Sequence, residues 1–209
     1  MDWKEKLTLL RYIANDLQII HSQELVHRNL HSGNILQNHL HDAYIADLGL
    51  SIPLNGESHG VYGILPYIAP EILNGGQYTT SSDIYSFGII LWEILYGNSI
   101  SYNQAFGTEL QIKICHNKLR PTIIKDSPQC YIDLMQQCWD RDPTKRPSAK
   151  KLCETFIKWK NDDNILLELT KSDILMDFNK TNIQIYPDNV YKSKFINYTT
   201  SYYQEGNYI

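Results

Sequence analysis

The side chains best suited to chemistry lie between residues 27 and 51, and three of them carry most of the interest: Asn29, Asn34 and Asp47. A carboxylate and an amide oxygen are hard ligands suited to magnesium. Asn29 is an amide with no basic lone pair at physiological pH, so it cannot accept a proton as a general base does. Metal binding is therefore open to this stretch, but position 29 offers no base.

Paired histidines in the same region superficially suggest another kind of metal site. His27 and His31 stand four residues apart, and His39 and His41 stand two apart. No cysteine or acidic cluster accompanies them at the spacing of a zinc site. The four cysteines form no C-x-x-C pair and are interpreted as small, buried hydrophobic residues.

Helices and short strands must position this stretch. Apolar residues recur at spacings of three and four from Trp3 to Ile20, which predicts an amphipathic helix. Short β-type runs follow at 25–26, 35–36 and 43–46, and residues 51–67 are expected to form a long loop. Ser and Thr residues before Asp83 predict a helix start, and 84–96 is apolar on nearly every face, which is typical of a buried helix. Further helices are predicted at 109–115, at 128–139 and, as a last one, after Ser148.

Four motifs in this order resemble those of the large lobe of protein kinases. They are His27-Arg28-Asn29-Leu30-His31-Ser32-Gly33-Asn34 for H-R-D-x-x-x-x-N, Asp47-Leu48-Gly49 for D-F-G, Ala69-Pro70-Glu71 for A-P-E, and residues 139–147 for W-x-x-x-P-x-x-R-P. The likeness is greatest to the tyrosine-kinase-like group of serine/threonine kinases. It implies a mainly α fold with a few short β-strands, the C-terminal lobe of the protein-kinase-like fold.

The resemblance also assigns a site for ATP and Mg²⁺. Asn34 and Asp47 stand where the family binds the metal, and Leu36 stands where a side chain lies against the adenine ring. Asn29 replaces the catalytic Asp that takes the proton of the substrate hydroxyl. His31 replaces the Lys of many relatives; with an ordinary pKa near 6.5 it would be mostly neutral at pH 7 and a weak phosphate clamp.

The remaining site residues are also implied by the resemblance. The stretch from Ser51 to Glu71 would be the activation segment. Arg28 can hold a phosphorylated form of this segment, in which three hydroxyls are candidate acceptors and Ile64 replaces a Thr that bonds the catalytic Asp. The candidate acceptors are Ser51, Ser58 and Tyr62.

Four more positions are expected to support the lobe. Leu48 is expected to pack against His27. Asp83 would hold the backbone of the catalytic loop, or merely cap its helix, and Arg146 is expected to pair with Glu71.

The resemblance covers about residues 3 to 159, so residues 1–160 are expected to form the lobe, with no counterpart of the small lobe. Residues 161–209 are expected to be a tail, partly disordered, with one short helix near 166–175. A net charge of −4 predicts neither nucleic-acid nor membrane partners. We expect neither a signal peptide nor a membrane span, which favours a cytoplasmic protein that meets protein substrates or partners.

These observations favour a kinase relative whose phosphotransfer to serine or threonine is lost or much weakened, with possible ATP, Mg²⁺ and protein binding. Two alternatives stay open. One is a fragment of an active serine/threonine kinase in which water or another residue replaces the missing base. The other is a free-standing module that docks proteins through its activation segment, the loop after the central helix and its tail.

Overall fold

The computed structural model describes residues 1–38, 42–54, 60–102, 104–179 and 191–199, with the backbone alone for 174–179. Ser58, His39 and His41 lie outside the described residues. The helices are α1 (Trp3–Ser22), α2 (Pro70–Leu73), α3 (Thr80–Tyr96), α4 (Thr108–Cys115), α5 (Gln129–Cys138), α6 (Ala149–Lys160) and α7 (Asp163–Asn179). The strands are β1 (Leu25–Val26), β2 (Ile35–Gln37), β3 (Ala43–Ile45), β4 (Ile52–Pro53), β5 (Val61–Gly63) and β6 (Lys194–Ile196). The predicted fold class, mainly α with a few short strands, is confirmed.

Helix α1 begins with a reciprocal cap. The Asp2 side chain accepts from the backbone N–H of Glu5, and the Glu5 side chain accepts from the backbone N–H of Asp2. This arrangement satisfies two groups that a helix start leaves unpaired. The apolar face predicted from the sequence is buried, and α1 packs against α6.

Helix α3 is buried on nearly all sides and lies at the centre of the fold. Thr79 is its N-cap and forms a capping box with Ser82, while Gly97 ends the helix in the left-handed conformation at φ 66°. Asp83 is therefore not the cap of this helix. Its side chain is free to serve the loop that contains Asn29.

The strands form three two-stranded antiparallel sheets, β1 with β4, β2 with β3, and β5 with β6. The prediction of one long loop over 51–67 was wrong in part, because β4, β5 and a 3-10 turn at Leu65–Tyr67 lie within it. A strand of two or three residues leaves no detectable alternation in the sequence.

Residues after Lys160 contribute more structure than the tail prediction specified. The short helix expected near 166–175 is the longer helix α7, which packs against both α1 and α6, with Leu169 fully buried. Strand β6 joins the activation segment through β5. Within the described ranges, no helix has the length and apolar character needed to cross a membrane.

Candidate functional site

Asp83 fixes the backbone of the loop that carries Asn29. Its carboxylate is almost fully buried and accepts from the backbone N–H groups of His27 at 2.8 Å and Arg28 at 3.0 Å. His21 Nε2 lies 2.9 Å from the same carboxylate. Arg28 adopts a left-handed φ of 71°, which is unusual for a residue with a side chain. The Asp83 hydrogen bonds help to hold this strained turn in place.

His27 links this loop to the segment that contains Asp47. Its Nε2 lies 3.0 Å from the carbonyl oxygen of Ala46, and its Nδ1 accepts from the backbone N–H of Asn29 at 3.3 Å. These two contacts require Nε2 to carry the proton. Leu48 is 52% exposed, and the hydrogen-bonded link from His27 to this segment runs through Ala46.

Asn29, Asn34 and Asp47 meet at one point of the site. Asn29 Nδ2 donates to Asp47 Oδ2 at 3.2 Å, and Asn34 Nδ2 donates to the backbone oxygen of Asn29 at 2.9 Å. A second, weaker contact joins Asn34 Nδ2 to Asp47 Oδ2 at 3.5 Å. Asp47 sits in the left-handed region at φ 63°, which short polar side chains tolerate. The side chain of Asn29 is therefore held against the carboxylate as a hydrogen-bond donor.

The donor set fits a magnesium ion that also binds phosphate oxygens. Because Asn34 uses its Nδ2 for the Asn29 carbonyl, its Oδ1 is left without a partner among the described residues. The Asp47 carboxylate is exposed. No group of three His, Cys, Asp or Glu side chains within the described ranges offers a metal cage. One carboxylate and one amide oxygen suffice for Mg²⁺ only when phosphates and water complete its octahedron.

An apolar face borders these polar groups. Leu36 and Tyr44 are directly paired across β2 and β3, and are 57% and 50% exposed. Residues directly opposite in a hairpin point to the same face of the sheet, so these two form one surface. Leu48 is similarly exposed. Such a surface suits a flat, apolar ligand or another packed chain segment.

His31 is buried beside Asn29 and is neutral at physiological pH. Burial lowers the pKa of this imidazole to about 4, with a further contribution from nearby His27. Gly33 lies close against the ring, since a Cβ on it would stand 3.0 Å from His31 Nδ1. His31 Nδ1 has no hydrogen-bond partner among the described residues. A neutral imidazole cannot serve as a cationic phosphate clamp.

Arg28 reaches across to the segment after Asp47. Its guanidinium lies 4.5 Å from the centre of the Tyr78 ring and donates to the backbone oxygen of Leu50 at 3.3 Å. Ser51, a candidate phosphorylation site, follows Leu50 directly, and its hydroxyl oxygen is buried without a partner among the described residues.

The activation segment approaches Asn29 through Gly63. A Cβ at Gly63, which has φ 152°, would lie 3.4 Å from Asn29 Oδ1. The neighbouring Ile64 is almost fully buried and donates no side-chain hydrogen bond. Tyr62 packs edge-on against Phe195 with ring centroids 5.2 Å apart.

Glu71 and Arg146 form a bidentate ion pair below the site. The two guanidinium nitrogens donate to the two carboxylate oxygens at 2.6 and 2.8 Å. Arg146 also donates to the backbone oxygens of Ser81 and Asp140, and its side chain is fully buried. The pair fastens the end of the activation segment to the start of α3.

Two residues of the site were missed by sequence reasoning, Ser193 and Thr199. Ser193 Oγ lies 3.3 Å from Asn29 Oδ1 and 3.4 Å from His31 Nε2. Thr199 is fully buried, donates to the backbone oxygen of Leu73 and accepts from Gln111 Nε2. The only sequence signal was the short apolar run Phe195-Ile196 in a polar tail.

Comparison with known proteins agrees with this architecture. The family model described as "Protein tyrosine and serine/threonine kinase" matches residues 1–156. A probable serine/threonine-protein kinase of Dictyostelium discoideum is 32% identical over 166 residues, which cover 73% of this chain and 9% of that protein. A probable LIM domain-containing serine/threonine-protein kinase of the same organism is 34% identical over 155 residues, covering 73% of this chain and 16% of that protein.

A plant relative is similar over a longer stretch. The protein kinase and PP2C-like domain-containing protein of Arabidopsis thaliana is 29% identical over 198 residues, covering 78% of this chain and 28% of that protein. The matched region thus spans less than a third of the length of each of these three relatives.

Proposed function

Because this chain belongs to the protein tyrosine and serine/threonine kinase family, we propose that it is a catalytically impaired member that retains ATP, Mg²⁺ and protein binding. The observation that carries this proposal is the hydrogen bond from Asn29 Nδ2 to Asp47 Oδ2 at 3.2 Å. Asn29, at the position of the base, donates a hydrogen bond to the Asp47 carboxylate, which is proposed to bind the metal. Its remaining oxygen is an amide oxygen, which can accept a hydrogen bond but cannot take the proton.

The energetic consequence falls on the chemical step. General-base assistance is worth about 10² to 10⁴ in rate. Its loss corresponds to roughly 3 to 5 kcal/mol of transition-state stabilisation. His31 does not compensate, because its pKa of about 4 keeps it uncharged near the phosphates at neutral pH. A phosphoryl group at this site would meet neither a base nor a cation from these two positions.

Nucleotide binding rests on other groups. Asp47 and the Oδ1 of Asn34 supply the oxygen ligands for Mg²⁺ bridged to phosphates. The apolar face formed by Leu36 and Tyr44 supplies a surface for the adenine ring. None of these features depends on a base at position 29. The substrate or partner is a protein segment, which the activation segment would bind.

We assign residues 1–160 to the kinase-like lobe and 161–209 to an accessory tail. The end of the family match at residue 156, near the end of α6, supports this boundary. The tail contributes α7 to the rear of the lobe and β6 to the activation segment.

Titration calorimetry of the 209-residue chain with ATP tests the binding half of this proposal. Binding is expected with MgCl₂ and not with EDTA, and Asp47→Asn is expected to weaken it by at least about tenfold, or 1.4 kcal/mol. Asp133→Asn, an exposed position on α5, is the matched control and leaves the affinity unchanged. Equal affinity in the wild type and Asp47→Asn, or no binding at millimolar ATP, would overturn the proposal.

A further inference from the structure

Residues 191–199 occupy the groove between the activation segment and α4. Strand β6 pairs antiparallel with β5, with Lys194 opposite Gly63, Phe195 opposite Tyr62, and Ile196 opposite Val61. The segment is thus bound in extended form through its main chain, the mode by which a sheet edge accepts a peptide.

The strand register puts a hydroxyl at the reactive position. Ser193, one residue before β6, lies with its Oγ 3.3 Å from Asn29 Oδ1, within reach for donating a hydrogen bond. His31 Nε2 lies 3.4 Å from the same hydroxyl. A carboxylate at position 29 would accept the proton of an attacking hydroxyl from about 2.6 to 3.2 Å, so Ser193 Oγ, 3.3 Å from Asn29 Oδ1, lies at the outer edge of that range. The amide of Asn29 instead holds Ser193 without activating it.

Both ends of the segment are anchored by side chains. At one end, Tyr191 Oη donates to the backbone oxygen of Ile100 at 2.9 Å, and its ring packs edge-on against Phe106. At the other end, the buried Thr199 hydroxyl donates to the backbone oxygen of Leu73 at 3.1 Å and accepts from Gln111 Nε2 at 3.1 Å. These contacts lie on opposite sides of Ser193 in the chain.

Gln111 recognises the main chain as well. Its Nε2 also donates to the backbone oxygen of Asn197 at 2.7 Å, so one buried amide is hydrogen-bonded to two positions of the segment. Phe195, in contrast, is 77% exposed although its ring edge touches Tyr62. The segment is therefore held by its backbone, its anchor hydroxyls and the fit of Ser193, and little by apolar burial in its middle. A cavity of about 170 Å³ remains beside it, lined in part by Leu65, Phe106 and Gln111.

We propose that residues 191–199 are an intramolecular pseudosubstrate, which fills the peptide groove of this lobe with Ser193 at the acceptor position and excludes extended protein segments until it is released. The assignment rests on the proposed function in one respect, that the groove is a protein-binding site of a kinase relative. The partner that competes with the tail is an extended segment with a serine or threonine at its centre.

Hydrogen exchange of the 209-residue chain tests occupancy directly. Those amides of residues 194–196 and 61–63 that are hydrogen-bonded across the strand pair are expected to exchange slowly. Thr199→Val keeps the shape of the anchor but removes its hydroxyl, and is expected to speed exchange in both strands together. Thr170→Val, on the exposed surface of α7, is the matched control and leaves both strands protected. Exchange of 194–196 at the rate of a free peptide in the wild type would overturn the proposal.

Competition in trans tests exclusion. A fluorescent peptide with the sequence of residues 191–199 is expected to bind Thr199→Val at least about fivefold more tightly than the wild type, because more of the chain has an open groove. The double variant Ile196→Asp/Thr199→Val disrupts the strand further and is expected to bind the peptide at least as tightly. Equal affinity in the wild type and the double variant would overturn exclusion by the tail.

Dilution identifies the source of the strand. Protection of residues 194–196 against exchange is expected to be the same over a tenfold dilution, since the segment belongs to the same chain. Loss of this protection on dilution would mean that a second copy supplies the strand, and would overturn the intramolecular assignment. These readouts need no nucleotide. Failure of ATP binding would leave strand protection unchanged, so the two proposals fail separately.

Discussion

Asn29 and Asp47 are joined as donor and acceptor, with Nδ2 of the amide 3.2 Å from Oδ2 of the carboxylate. An aspartate in place of Asn29 would put two carboxylates at nearly this distance, where like charges repel unless a cation lies between them. The neutral amide of Asn29 avoids this repulsion when no metal is bound, and donates a hydrogen bond to the carboxylate instead.

Asn29→Asp should make the stability of the chain depend on magnesium. In EDTA, the free energy of unfolding is expected to fall by about 1 to 3 kcal/mol, the repulsion of a buried and an exposed charge at this distance. Millimolar MgCl₂ should restore most of the loss. Urea unfolding with and without Mg²⁺ measures this, with Asn117→Asp at an exposed position as the control for added charge. A loss that Mg²⁺ leaves untouched would contradict the geometry.

Glu71→Gln should be strongly destabilising. The Arg146 side chain is fully buried, so loss of its carboxylate partner leaves an uncompensated charge. The expected cost is about 3 to 5 kcal/mol in the free energy of unfolding. Glu109→Gln, which breaks an exposed pair with Lys113, is the matched control and should cost less than about 0.5 kcal/mol. Similar losses in the two variants would show that the Glu71 pair is not buried in solution.

Asp83→Asn should loosen the loop that carries Asn29. In the wild type, the backbone N–H groups of His27 and Arg28 each donate to one oxygen of the Asp83 carboxylate. The amide of Asn has a single oxygen, so one of these N–H groups loses its acceptor and faces the amide NH₂ group. Hydrogen bonds to a charged group are worth about 1.5 to 3 kcal/mol, and a loss of that size is expected. Hydrogen exchange should locate it at residues 27–29. Asp133→Asn on α5 should change neither quantity, and unchanged exchange at 27–29 in Asp83→Asn would refute the role of Asp83.

His31 should make the chain less stable in mild acid. Because burial lowers its pKa in the folded state to about 4, below the ordinary value near 6.5, the unfolded chain binds the proton more readily. The stability that neutral His31 provides is complete above pH 6.5 and is lost as the pH falls towards 4. Between pH 7.0 and pH 4.5, wild type should lose about 2 kcal/mol more than His31→Gln, which does not titrate. Identical losses in urea unfolding would contradict the buried, neutral imidazole.

The regular elements were largely predictable because each has a local cause. The helix at the start was predicted from its apolar spacing, and the buried character of α3 from its apolar residues on nearly every face. Elements of two or three residues had no such pattern. Strand β5 was predicted as part of a loop, and α7 runs well beyond the short helix expected near 166–175.

The candidate site depended on contacts that the sequence does not state. Asp83 and His27 are 56 residues apart, and the resemblance to kinases, rather than any local pattern, suggested their contact. Ser193 and Asn29 are 164 residues apart, and no motif pointed to that contact. The polar composition of residues 161–209 predicted a partly disordered tail, whereas the docking of residues 191–199 depends on main-chain pairing and two anchor hydroxyls. Main-chain pairing of this kind leaves almost no compositional trace.

The most direct test of the account is transfer of the γ-phosphoryl group from ATP to serine and threonine peptides by the 209-residue chain. We predict that the rate with Mg²⁺ equals that of Asp47→Ala, which lacks the carboxylate proposed to bind Mg²⁺, both with residues 191–199 docked and when Thr199→Val loosens them. The Thr199→Val comparison separates a lost base from a blocked groove. Robust transfer that Asp47→Ala abolishes would contradict the central claim that Asn29 leaves this site without effective phosphotransfer.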